Sequence, residues 1–457
     1  MKTHSAPTGI SLKIFSTGVL VAILFGTPSK GVSQDSIAAV AQPGGSPPLV
    51  YAVENTGANF PLPALPVMAD LPVIQPLPDP FAWAADPVNA KGTRSTKFSD
   101  WEHHRNEIAA QIENYEIGTK PPRPQNIAAI YTNGMLRVDV TENGQTLSLT
   151  CRVILPAGSG PFPAVIGMNS ASGGIPSNLF TSRKIAEIVF THDQVTAYGR
   201  APSASDPYYR LYPELLGKSG QYSAWAWGVS RIVDGLELVK DTLPLDLKHL
   251  CVTGCSYAGK MALFSGAFDE RIALTIAQES GGGGATSWRY SAIVDAKATT
   301  QNEKVEGLAQ TDHKWFRSSM FQFGGANVPK LPEDHHELMA MVAPRALLVS
   351  GNTDYTWLSN PSCFICSKAT QQIYGALGIS DRFGYLIDGG HGHCQVPNSQ
   401  LPAIGAYLDK FMLGMTDANT AVAVSPASFA SIDYARWYQW WGTASPVLPD
   451  LPDASSK

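Results

Sequence analysis

The residues that could do chemistry centre on one serine. In Val252-Thr253-Gly254-Cys255-Ser256-Tyr257-Ala258-Gly259-Lys260, Ser256 stands between a short apolar run and the helix-favouring Met261-Ala262-Leu263. That layout predicts a nucleophile elbow, in which a strand turns sharply into a helix and lifts a serine hydroxyl above a sheet. Gly254 and Ala258, two residues to either side, suit the turn because larger side chains would collide across it. Such a serine needs a base to take its proton, an acid to orient that base, and N–H donors for an oxyanion. His393, in Asp388-Gly389-Gly390-His391-Gly392-His393-Cys394, follows the last strand pattern and is the expected base. Two carboxylates compete for the acid: Asp354, closing Leu347-Leu348-Val349-Ser350-Gly351-Asn352-Thr353-Asp354, and Glu279, in Gln278-Glu279-Ser280 before a glycine run. Each alone reads equally as a turn serine, a loop histidine or a capping carboxylate. Their order at successive strand ends is what joins them.

Those strand ends require a sheet. Apolar runs predict strands at 128–131, 136–140, 147–155, 163–168, 188–190, 250–253, 272–277, 346–349 and 383–387, with Asn143-Gly144 as a hairpin turn. Helical spacing falls at 101–115, 222–239, 368–377 and 401–411. Strands alternating with helices predict the α/β class, a mainly parallel sheet covered by helices on both faces.

Residues 34–92 are rich in Pro, Ala, Gly and Asp and read as a linker or arm. Phe60, Leu62, Leu65, Val67 and Leu71 suggest that part of it packs down onto a domain spanning 93–420. The tail, 421–457, carries Trp437-Tyr438-Gln439-Trp440-Trp441, expected to cap the domain or line a groove. At the N-terminus Lys2, His4 and Lys13 precede an apolar Ile14-to-Phe25 stretch and then Gly26-Thr27-Pro28-Ser29. This predicts a signal peptide over 1–33, hence a secreted or periplasmic protein without stable membrane insertion after cleavage. A net charge of −5 over 457 residues, with no basic tract, argues against nucleic acid as a partner. Cys363-x-x-Cys366 lacks a second pair or a histidine cluster, so neither metal nor other cofactor is expected.

Further segments give a resemblance. Tyr222 through Arg231 (YSAWAWGVSR), Gly254-Cys255-Ser256 with Gly259-Lys260, and Glu279-Ser280-Gly281 through Trp288-Arg289 resemble the glucuronoyl esterases. So do Ala343-Pro344-Arg345, Trp357-Leu358 and His393-Cys394, and the likeness runs from about residue 101 to 414. These carbohydrate esterases cut the ester between xylan glucuronic acid and lignin alcohols. The resemblance implies an α/β-hydrolase fold, a serine carboxylic ester hydrolase, and a glucuronoxylan or lignin–carbohydrate ester as substrate. It assigns Ser256 as nucleophile, His393 as base and Glu279 or the Asp354 region as acid, with Glu279 preferred because its glycine-rich context follows the family motif. Cys255 and Cys394 become a disulfide, and Lys260, Asp312 and Trp357 become sugar contacts, with Lys304 or Glu306 where the family has a glutamine. One departure stands beside the nucleophile: Tyr257 replaces the family's arginine, leaving its backbone N–H for the oxyanion. Its hydroxyl, Arg289 or a donor near Asn169-Ser170 are the expected compensations. Esterases of other carbohydrate or small carboxylic esters, or a weakened glycan-binding relative, are the alternatives that this departure raises.

Overall fold

The computed structural model describes residues 47–448. The expected signal segment lies outside the described residues. Among the described residues ten strands form one sheet: β1 (Ile127–Thr132), β2 (Met135–Glu142), β3 (Gln145–Ile154), β4 (Phe162–Met168), β5 (Ala186–Phe190), β6 (Leu245–Cys255), β7 (Leu274–Gln278), β8 (Ala346–Asn352), β9 (Phe383–Asp388) and β10 (Ala423–Val424). Their spatial order is β1-β2-β3-β5-β4-β6-β7-β8-β9-β10. β1 to β3 pair antiparallel, as does β3 with β5, and every later pairing is parallel.

Local chemistry accounts for the pattern. Asn143 and Gly144 both sit at positive φ, which is what the two-residue turn between Glu142 and Gln145 demands. β3 alternates buried and exposed positions, as an antiparallel strand with one wet face does. β7 and β8 are buried throughout, as parallel strands covered on both faces must be. Alternate β4 residues serve two cores. Ile166 packs with Trp225 and Met261 of the helices Gln221–Leu238 and Tyr257–Phe268; Val165 packs with Ile404 and Leu408 of the helix Leu401–Leu413. A mainly parallel sheet, helices on both faces and a serine where β6 meets its helix make this an α/β-hydrolase fold.

Most boundaries fall within a few residues of expectation, and two differ by more. β6 begins at Leu245 because that residue pairs with Phe162 across an irregularity in register. The helix expected at 368–377 begins at Asn360, where proline opens the first turn and the buried Cys363, Phe364 and Cys366 extend its apolar face.

The arm lies against the domain partly through the expected residues: Phe60 stacks on His103 at 4.5 Å, Leu65 packs half-buried against the core and Leu71 is buried. Leu62 and Val67 are 73% and 68% exposed, whereas Leu71, Ile74, Leu77 and Phe81 are buried. The Leu77 N–H donates to the Trp437 carbonyl at 3.0 Å, and the indoles of Trp440 and Trp441 donate to the Leu77 carbonyl at 2.8 and 3.0 Å. The aromatic tail is therefore a cap over the arm. No described helix is long and apolar enough to cross a membrane.

Candidate active site

Ser256 joins β6 to the helix Tyr257–Phe268 with φ 61° and ψ −128°, a conformation that non-glycine residues avoid and that needs outside support. The Ser256 N–H donates to the Gln278 carbonyl and its own carbonyl accepts from Lys260 N–H, both at 3.0 Å. Close approach explains the small neighbours. A Cβ on Gly254 would lie 2.2 Å from the Ala258 carbonyl oxygen, and one on Gly259 2.4 Å from that of Gln278. Tyr257 begins the helix, so its N–H has no partner within the helix and adjoins the serine.

The base and its acid come from two other strand ends. His393 lies on the loop after β9, and its Nδ1 is 2.6 Å from Glu279 Oε2. Glu279 leaves β7 at φ 42°, and its N–H donates to the Ser350 carbonyl at 3.0 Å. Its buried carboxylate also accepts from Cys394 N–H at 3.1 Å and from the Asn352 amide at 3.4 Å. A proton on Nδ1, held by Glu279, leaves the Nε2 lone pair as the basic face of the ring. The His393 N–H donates to Tyr355 Oη at 2.9 Å. Cys255 and Cys394 form a disulfide with Cα atoms 5.6 Å apart, tying the serine turn to the histidine loop at the residues next to each. Of the two expected acids, Glu279 reaches His393. Asp354 lies beyond the end of β8, and its carboxylate accepts from Gly390 N–H at 2.8 Å, shaping the histidine loop instead.

Of the expected sugar contacts, Trp357 adjoins this pair. Trp357 is 46% exposed and edge-on to His393, ring centroids 5.8 Å apart. Lys260 is buried, its Nζ 3.0 Å from Glu306 Oε2 and 5.0 Å above the Trp315 ring. Glu306 accepts from the Thr311 hydroxyl at 2.9 Å and donates its N–H to the Trp357 carbonyl at 2.9 Å. Glu306, rather than Lys304, thus links Lys260 to Trp357; Lys304 turns to Asp295. Asp312 pairs with Lys314 at 3.1 Å and bonds to neither of them.

The Tyr257 hydroxyl lies 3.3 Å from Asn169 Nδ2 and 3.2 Å from His192 Nε2, and its ring stacks on Tyr198 at 4.2 Å. Burial raises its pKa, so the phenol is neutral. Arg289, expected as a compensating donor, is otherwise engaged. It is buried elsewhere, donating to the carbonyls of Ile74 and Glu333 and pairing with Asp334. Among the described residues, Cys255, His393 and Cys394 are the group of donors close enough to share a metal, but the two sulfurs are bonded to each other.

Sequence reasoning missed Asn352, Tyr355, His391, His192 and Tyr198 as neighbours of these groups. Asn352 and His391 lie within the stretches that flag Asp354 and His393; Tyr198 and His192 carry no pattern at all.

Three comparisons bear on the whole chain. Residues 138–378 match the family model for fungal glucuronyl esterases. The chain is 37% identical to a 4-O-methyl-glucuronoyl methylesterase of Neurospora crassa over 80% of its own length and 89% of that protein's. Its fold is similar to the glucuronoyl esterase catalytic domain of Hypocrea jecorina (TM-score 0.74, 33% identity), covering 83% of this chain and 99% of that one. A serine-to-alanine mutant of the Sporotrichum thermophile glucuronoyl esterase, solved with methyl 4-O-methyl-β-D-glucopyranuronate, is similar at TM-score 0.71 and 34% identity, covering 81% and 95%.

Proposed function

The chain belongs to the glucuronoyl esterase family of carboxylic ester hydrolases, and on that premise we propose that it cleaves esters of 4-O-methyl-glucuronic acid through an acyl-enzyme on Ser256. His393 Nε2 takes the serine proton as Oγ attacks the ester carbonyl. Glu279 holds the ring in the productive tautomer and stabilises the imidazolium. The Tyr257 N–H donates to the oxyanion, and His393 returns its proton to the leaving alcohol. Water then attacks the acyl-enzyme by the same route in reverse.

Trp357 offers a ring face to the sugar, while Lys260, fixed by Glu306, presents a cation one helical turn from the nucleophile. The natural substrate is glucuronoxylan, esterified to lignin alcohols. The relatives' names and the ligand in the Sporotrichum complex support a uronate ester. The signal-like N-terminus supports export to where such polymers lie.

One observation carries the reading: the 2.6 Å His393–Glu279 bond on a loop bridged by Cys394 to the serine turn. The test is turnover of methyl and benzyl glucuronate by wild type and Ser256→Ala, with fluorophosphonate labelling. Loss of both turnover and labelling is expected. An active Ser256→Ala protein would end the proposal.

A further inference from the structure

Glu279 faces two histidines, one at each oxygen. Oε2 binds His393, while Oε1 lies 3.7 Å from Nδ1 of His391, a nearly buried ring. On its other side His391 Nε2 is 3.2 Å from Asp388 Oδ1, and that same oxygen accepts from Gln400 Nε2 at 2.6 Å. We infer that His391 is a positioning residue for the Glu279–His393 pair, and that when it gains a second proton it competes with His393 for the Glu279 carboxylate. This rests on the proposed roles of those two residues.

The hydrogen-bond inventory allows both protonation states. Asn352 Oδ1 accepts from Asp354 N–H at 3.1 Å, which turns its amide group toward His391 Nδ1 and the His391 carbonyl, both at 3.1 Å, and Glu279 Oε2. The reverse orientation would set the amide oxygen against a carboxylate and a carbonyl. Nδ1 therefore meets one donor, Asn352, and two acceptors, the Gly392 carbonyl at 3.2 Å and Glu279 Oε1. In neutral His391 the proton sits on Nε2, donated to Asp388, and Nδ1 accepts from Asn352. In the imidazolium, Nδ1–H turns donor toward Gly392 and Glu279, while Asn352 keeps the His391 carbonyl and Glu279.

Charged and titratable groups face this ring from three directions: Asp388 at the end of β9, Glu279 after β7, and His393 on its own loop, with Asp354 behind Gly390. A cation beside Oε1 weakens the pull of Glu279 on His393 and lowers the basicity of the catalytic ring. Full activity then needs both histidines neutral. The acid limb of log kcat/KM should therefore show two protonations, its slope rising from one toward two as pH falls.

The test compares wild type, His391→Gln and Asp388→Asn on methyl glucuronate across pH, with circular dichroism to confirm folding. His391→Gln should lower kcat by roughly 10- to 100-fold with KM little changed, as loss of orientation does, and reduce the acid-limb slope to about one. Asp388→Asn removes the anion that favours the imidazolium and should move the second protonation to lower pH. A wild-type slope that stays at one down to the lowest pH at which the protein is folded, or a folded His391→Gln protein with wild-type kcat and slope, would overturn the inference. Should His391→Gln not fold, an Asp388→Asn acid limb identical to wild type would overturn it instead. An active Ser256→Ala protein would strike at the proposed function, not at this coupling alone.

Discussion

Tyr257 stands next to the nucleophile, and its surroundings limit what its phenol can do. The hydroxyl already meets Asn169 and His192, so the backbone N–H is the group left for the oxyanion. Tyr257→Phe should therefore lower kcat by less than about 10-fold, whereas loss of a true oxyanion donor costs about 100- to 1000-fold. Kinetics on benzyl glucuronate decide it, and a loss in the larger range would make the phenol itself a donor. Between the acids the contrast should be wide. Glu279→Gln breaks the tautomer-setting bond to His393 and should cost about 10⁴-fold in kcat, while Asp354→Asn, which touches a loop amide, should cost far less. Equal losses in the two variants would undo the assignment. Ser256 and His393 were legible in the sequence because each follows an apolar run and has a distinctive local motif. Between Glu279 and Asp354 strand position left both open, and only the family resemblance of the glycine-rich stretch favoured Glu279; the path of the chain after each strand is what separates them. Tyr355 and Asn352 act across space, a relation that no linear spacing encodes.

Elements set the separation of those residues. β6, β7, β8 and β9 lie side by side in parallel, so the loops bearing Ser256, Glu279, Asp354 and His393 all leave the same edge of the sheet. Strand identity was legible because buried parallel strands read as unbroken apolar runs and the edge hairpin carries its turn signal. The early start of β6 was hidden by the polar Asp246 and Lys248 within it. Across this edge the Cys255–Cys394 bond closes a loop of 139 residues, long enough that its removal should cost about 2–5 kcal/mol. Since the bridged residues adjoin Ser256 and His393, the Cys255→Ala/Cys394→Ala protein should also lose kcat at temperatures where it remains folded. Denaturant melts beside single-temperature kinetics separate the two effects. Unchanged kcat in the folded double variant would reduce the bridge to a stabilising tether.

At the scale of the molecule, arm and tail pack onto the rest of the chain, and the charged groups buried beneath them tie stability to pH. Glu54 on the arm pairs with the buried Lys120 and Arg231, and those cations hold its carboxyl below the usual range. Its contribution is present above the ordinary value of 4.5 and is lost as pH falls. His104 and His336, both lowered to about 4 by burial, act in the same sense: their stability is present above 6.5 and is lost as pH falls through 4. Glu337 runs the other way. Burial raises it from 4.5 to about 8, so its stability is complete below 4.5 and is lost as pH rises through 8. Glu113, raised to about 7, shares that sign. Stability is thus squeezed from both sides by groups far from Ser256. Glu337 also accepts from Asp334 N–H at 3.0 Å, a bond that a neutral amide oxygen can keep. Glu337→Gln should therefore fold and lose less stability between pH 5 and pH 8.5 than wild type, by at most roughly 5 kcal/mol. Thermal melts of both proteins at the two pH values measure the difference. Equal alkaline losses would mean that Glu337 ionises in the folded chain without penalty, and that the alkaline limit arises at Glu113 or elsewhere.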